Sequence, residues 1–71
     1  MSNPRPSEHE LRGMTVNERL FACGLIDKWD DAARRKNRQD MIAILKDASL
    51  SELQASETAD AVLNNPKKYG F

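Results

Sequence analysis

Apolar residues recur at helical spacing from Val16 to about Lys36, and this segment constrains the fold more than any other. At 100° per residue, Phe21, Leu25, Trp29 and Ala32 fall on one stripe, with Ala22, Ile26 and Ala33 on its flank. Asp27, Asp30, Asp31, Arg34 and Arg35 fall opposite. Asp30–Arg34 and Asp31–Arg35 are i,i+4 pairs with the acid first, the better orientation on a helix. Ahead of them, Thr15-Val-Asn-Glu18 fits a capping box, in which hydroxyl and carboxylate each accept from the other residue's backbone amide. The spacing predicts one helix of about 20 residues, roughly 30 Å long, with a single stripe to bury against partner helices.

Two further helices are predicted. Asn37 reads as an N-cap, and a helix from Arg38 to Ala48 would bury Met41, Ile42, Leu45 and Ala48, with Ile44 at its edge. Ser49 and Ser51 are both possible caps for the next. Ser51 with Gln54 is preferred, because Leu50 before it can staple onto Ala55. That helix runs to about Asn64 and buries the small face of Ala55, Ala59, Val62 and Leu63. Pro66 disfavours helical geometry at Asn65 and ends it. No β-type alternation interrupts the pattern. Residues 1–13 hold two prolines, a glycine and, beyond Met1, a single large apolar residue, Leu11. Burial there cannot offset ordering entropy, so a disordered tail is expected, with Met14 opening the compact domain 14–71. The predicted fold is all-α: a compact three-helix domain with a disordered N-terminal tail and a C-terminal aromatic clip.

Two of the four aromatic residues, Tyr69 and Phe71, lie in the last three positions. One reading has them fold back over the open end of the core as an aromatic clip, with Gly70 permitting the sharp return. The other makes Tyr69-Gly70-Phe71 a terminal recognition motif for a partner.

Composition narrows the function. With 71 residues there is room for one domain, of stability about 3–5 kcal/mol. Eleven basic and eleven acidic residues cancel, which removes any general attraction to nucleic acid or anionic membrane. The single cysteine, Cys23, excludes an internal disulfide and a multi-cysteine zinc site, and suits a reducing, cytoplasmic setting. No apolar run reaches the ~18 residues a membrane span needs, and MSNPRPSEHELRG lacks the apolar stretch of a secretory leader. His9, the one histidine, lies in the expected tail. Asp27, Asp30 and Asp31 cluster beside arginines and read as a solvated, salt-bridged face. No phosphate-binding glycine loop, metalloprotease motif or calcium loop is present. The expectation is a protein without catalytic activity, cofactor or metal.

Two surfaces remain as candidates for binding. In LFACGLI, residues 20–26, apolar side chains point all round the helix axis. Leu20 and Cys23 lie off the predicted core stripe. With Val16 and Gly24 they form a second apolar surface, and Leu53 is likewise off the face of its helix. Either another part of the chain or another protein covers them. The basic run Arg34, Arg35, Lys36 and Arg38, with Lys67 and Lys68 nearby, is the alternative, a nucleic-acid contact. Helix-turn-helix binding is disfavoured: the last helix carries Glu52, Glu57 and Asp60, and no Lys or Arg lies between Lys46 and Lys67.

The pattern VNERLF (16–21), Gly24-Leu25, Asp27, Asp30, Met41-Ile42, Leu45 and the closing NPKKYGF (65–71) resembles a group of short uncharacterised bacterial proteins, from about Met14 to the end. The resemblance implies a bacterial, cytosolic, helical protein and carries no activity. Residues 1–13 depart from it, which lessens any role for His9. The expected function is non-catalytic protein–protein interaction, as an adaptor, an inhibitor or an immunity- or antitoxin-like protein. Nucleic-acid association and self-association as a homodimer are the alternatives.

Overall fold

The computed structural model describes residues 8–71. These form five α-helices and a closing 3₁₀ turn: α1 (Glu8–Leu11), α2 (Val16–Ala22), α3 (Ile26–Arg34), α4 (Arg38–Asp47), α5 (Glu52–Asn64) and the turn Pro66–Tyr69. No strand occurs among the described residues, and the all-α class holds.

Helix starts fall where the caps are. Thr15 and Glu18 form a full capping box at α2, and Ser51 and Gln54 form another at α5. The Asn37 side chain accepts from the Asp40 backbone N–H at α4. α3 has no side-chain cap and follows directly from the end of α2.

That junction corrects the single long helix expected over residues 16–36. Gly24 sits at φ +70°, in the left-handed region. The Gly24 N–H donates to the Phe21 carbonyl at 3.1 Å, and the Leu25 N–H donates to the Leu20 carbonyl at 2.8 Å. This is a Schellman motif, which stops a helix by satisfying its last carbonyls and turning the chain. The same pair of bonds ends α3 at Lys36 (to Ala33 and Ala32), α4 at Ser49 (to Lys46 and Leu45) and the 3₁₀ turn at Gly70 (to Lys67 and Pro66). Glycine adopts this conformation freely. Lys36 and Ser49 hold it at φ +56° and +70° without that freedom.

Restarting the helix after Gly24 resets its rotational phase. Leu20, expected on a second apolar surface, is fully buried at 0% exposure; Phe21, expected on the core stripe, is 79% exposed. The core gathers Leu20, Trp29, Met41, Leu45, Leu50 and Val62 around a set of alanines, with Val16, Leu25, Ile26, Ile42, Ile44, Leu63 and Phe71 packed at its margin. The small residues Ala55 and Ala59 on α5 are completely buried, and the α4–α5 interface is the most extensive in the fold. Arg19 ties α2 to the turn between α4 and α5, donating from Nη1 to the Ser49 carbonyl and from Nε to the Met14 carbonyl.

The expected N-terminal tail is also revised where it can be followed. Residues 1–7 lie outside the described residues. From Glu8 the chain makes a helical turn, and Leu11 is buried. One apolar residue thus takes part in the fold from within a segment too polar to predict it.

Candidate functional site

The phase reset places aromatic side chains around a groove. Phe21 ends up on the last turn of α2 with its ring in solvent. At the other end of the chain, Pro66 opens the 3₁₀ turn and Gly70 takes φ +87°. The Phe71 N–H then donates to the Pro66 carbonyl at 2.9 Å. This hook returns Phe71 to the margin of the core, half-buried, and leaves Tyr69 44% exposed. Two adjoining concavities result, of about 570 and 620 Å³, which share Asn17, Trp29, Tyr69 and Phe71. Val16 and Val62 line the first; Phe21, Ala22 and Ile26 line the second. Trp29, itself buried, forms part of both. The Lys68 ammonium lies 5.7 Å from the centre of the Tyr69 ring, within cation–π range.

The charged residues at the groove are mostly acidic. Glu18, Asp30 and Glu57 line it, against Lys68. Glu18 is engaged in the capping box, where the Thr15 backbone N–H, followed by the Thr15 hydroxyl, holds its carboxyl below the usual carboxylate range. Asp30 and Glu57 have no ion pair among the described residues. The Asp30–Arg34 pair expected from i,i+4 spacing is not formed; Asp31–Arg35 is, at 2.9 Å. Three of the four aromatic residues thus lie in or beside one partly acidic groove, with Trp29 the fourth at its base.

The residues singled out from sequence fare unequally. Val16 lines the groove. Leu20 is core and leaves the candidate surface. Cys23 and Gly24 form the end of α2; Cys23 is half-buried and makes no disulfide, and Gly24 is exposed. Leu53, 68% exposed on the first turn of α5, lines neither concavity. The five therefore do not make one surface. Phe21, Tyr69 and Phe71 line the groove beside Val16. Phe21 was discoverable from sequence: Gly24 followed by Leu25, with Leu20 five residues before, is the Schellman signature.

The basic run also divides. Arg35 pairs with Asp31 and with Asp40 at 3.2 Å, and its guanidinium holds its proton more firmly because of both. Arg38 makes two hydrogen bonds to Asp60, at 2.8 and 3.4 Å. Those bonds hold the Asp60 carboxyl below its ordinary value. Arg34 and Lys36 have no ion pair among the described residues and border a different cavity. Two of the four candidate nucleic-acid contacts are therefore already neutralised by the protein's own acids.

Among the described residues, no group of three or more His, Cys, Asp or Glu gathers to hold a metal ion, and no helix is long and apolar enough to cross a membrane. No protein-family model, no curated protein and no solved structure matches the chain.

Proposed function

We propose that this protein is a non-catalytic interaction module that binds another protein through the groove between Phe21 and the C-terminal hook. The exposed Phe21 ring carries the reading. A phenylalanine left in solvent beside a concave, aromatic-lined surface is the usual composition of a binding hot spot, where a few rings supply most of the affinity. The hook serves as an aromatic clip in which Phe71 closes the core and Tyr69 offers its face to the partner. This combines the two roles that the sequence left open for the end of the chain.

Charge complementarity defines the partner. Among the described residues, Asp30 and Glu57 line the groove with no ion pair, and Lys68 is its one cation. The fitting occupant is an apolar segment of a second protein with Lys or Arg on its flanks. Burial of the apolar side chains gives affinity, and the charges fix orientation. An adaptor, an inhibitor or an antitoxin-like protein would each act this way, by occupying a surface instead of transforming a substrate. The resemblance in the NERLF and NPKKYGF segments favours a bacterial, cytoplasmic setting.

Affinity capture from the native host tests the reading. The tag is placed at the N-terminus so that Phe71 is untouched, the lysate is divided with and without nuclease, and Phe21→Asp is run beside the parent chain. The expected result is one protein, recovered in stoichiometric amount, nuclease-resistant and lost with Phe21→Asp. Its protected segment should be apolar with basic flanks. A partner retained by Phe21→Asp, or one lost on nuclease treatment, overturns the assignment. Recovery of the protein itself alone replaces it with self-association.

A further inference from the structure

We propose that the cavity between the C-terminal ends of α3 and α5 binds a phosphate-bearing ligand. This site adjoins the aromatic groove, with which it shares Phe71, but does not depend on its role. Arg34 in the last turn of α3, Lys36 at its left-handed terminator and Lys67 just beyond α5 converge on a cavity of about 470 Å³. Asn64 and Asn65 also line it and carry amide groups able to donate, and no acidic residue lines it.

The distribution of charge over the molecule sets this cavity apart. The chain is neutral, with eleven bases and eleven acids. Arg35, Arg38 and Lys46 are each paired with a carboxylate. Arg34, Lys36 and Lys67 have no ion pair among the described residues, and these three share one concavity. Part of their charge complements the carbonyl ends of the two helices. That role needs only a cation near each end; it does not require three around one hollow. Like charges gathered around one hollow repel one another until a counter-ion enters.

The donor set favours phosphate over carboxylate. A carboxylate offers one charge and two oxygens, enough for one cation. A phosphate monoester or diphosphate offers about two charges or more and at least three acceptor oxygens, and a nucleic-acid backbone offers one charge from each of several successive phosphodiesters; either matches three cations and two amides. The volume is in the range of about 300–1,000 Å³ typical of small-ligand sites and admits a diphosphate.

The test uses the whole chain, isotope-labelled, with inorganic pyrophosphate and a short single-stranded oligonucleotide as probes, followed by NMR. Pyrophosphate should shift the Asn64 and Asn65 side-chain amides and the backbone amides of Lys36 and Lys67. Arg34→Gln with Lys67→Gln should weaken binding about tenfold or more, a factor of ten being 1.4 kcal/mol. Arg35→Gln with Arg38→Gln removes the same charge from paired positions and should change affinity less than about twofold, since those cations are already satisfied. The two probes distinguish the source of the phosphate. Tighter binding of the oligonucleotide, with a logarithmic salt slope near −2 for about three phosphate contacts, assigns a nucleic-acid backbone. Pyrophosphate binding as tight or tighter assigns a free diphosphate. Shifts spread equally over Arg35, Arg38 and Lys46, equal weakening by both double variants, or no shift at about 10 mM pyrophosphate, the weak limit of specific recognition, overturn the proposal.

Discussion

Leu20 and Phe21 are neighbours in sequence and opposites in the fold, and substituting each by alanine gives a quantitative test of how the chain is built. Leu20 is completely buried, in a core cluster that includes Ala32, Ala33, Ala48, Ala55 and Ala59, whose short side chains cannot move in to fill a void. Removing a buried leucine side chain costs about 2–5 kcal/mol, with the upper part of the range where the site cannot collapse. A domain of this size has a total stability of about 3–5 kcal/mol. Leu20→Ala should therefore remove about 3 kcal/mol, more than half of the whole. Phe21 is 79% exposed, so its truncation gives up little burial and should cost about 0.5 kcal/mol or less. Urea unfolding followed by Trp29 fluorescence reads both, because Trp29 is 4% exposed when folded. With a slope of about 1 kcal/mol/M for so small a protein, Leu20→Ala should lower the midpoint by about 3 M and Phe21→Ala by less than about 0.5 M, at unchanged slope. The reverse order would refute the argument. An uninterrupted helix from Val16 to Lys36 puts Phe21 inside and Leu20 outside, and it predicts that reversal.

Three other outcomes follow from local structure. Gly24→Ala should destabilise by about 1 kcal/mol, from left-handed strain alone, since an added Cβ at Gly24 meets nothing within 4 Å; a clash-sized loss on thermal melting would contradict this. Ser51→Ala removes the hydroxyl that accepts from the Gln54 N–H and should cost about 1 kcal/mol. The loss should appear as faster hydrogen exchange in the first turn of α5. The carboxyls of Glu18, Glu52 and Asp60 are all held below their ordinary values, Glu52 by its hydrogen bond from Lys46. Their contribution is therefore fully present above the unfolded carboxylate range of about 4–4.5 and is lost as pH falls through the lower folded values. The thermal midpoint should be flat from neutral pH down to about 5 and fall below about 4; a midpoint that rises on acidification would reverse the sign.

Much of the fold was legible because its signals are short-range. The caps at Thr15, Asn37 and Ser51 lie within three residues of what they cap, and α2, α4 and α5 begin where they stand. Met41, Leu45, Ala48, Ala55, Ala59 and Val62 occupy the core because α4 and α5 run unbroken. The α2–α3 junction was obscured because two short helices joined by a tight terminator retain much of the periodicity of one long helix. That single error moved Leu20 and Phe21 to the wrong sides and put a core residue, Leu20, on the candidate surface. The charge pattern failed for a different reason. Arg38 and Asp60 are 22 residues apart, and only the packing of α4 on α5 brings them together. Asp30 and Arg34 have ideal spacing on a helix yet face a groove and a cavity instead of each other. Exposed pairs are worth little, so spacing alone does not enforce them.

The measurement that bears most directly on the central claim is site-specific photocrosslinking in living host cells. A photoreactive phenylalanine analogue replaces Phe21 in one strain and Leu53 in another. Both positions are exposed and apolar, but only position 21 lines the groove. The account predicts one crosslinked protein from position 21, joined through a segment with basic residues beside apolar ones, and none of it from position 53. The same product from position 53 with none from position 21 would contradict the account, as would a product from position 21 that consists only of a second copy of this chain.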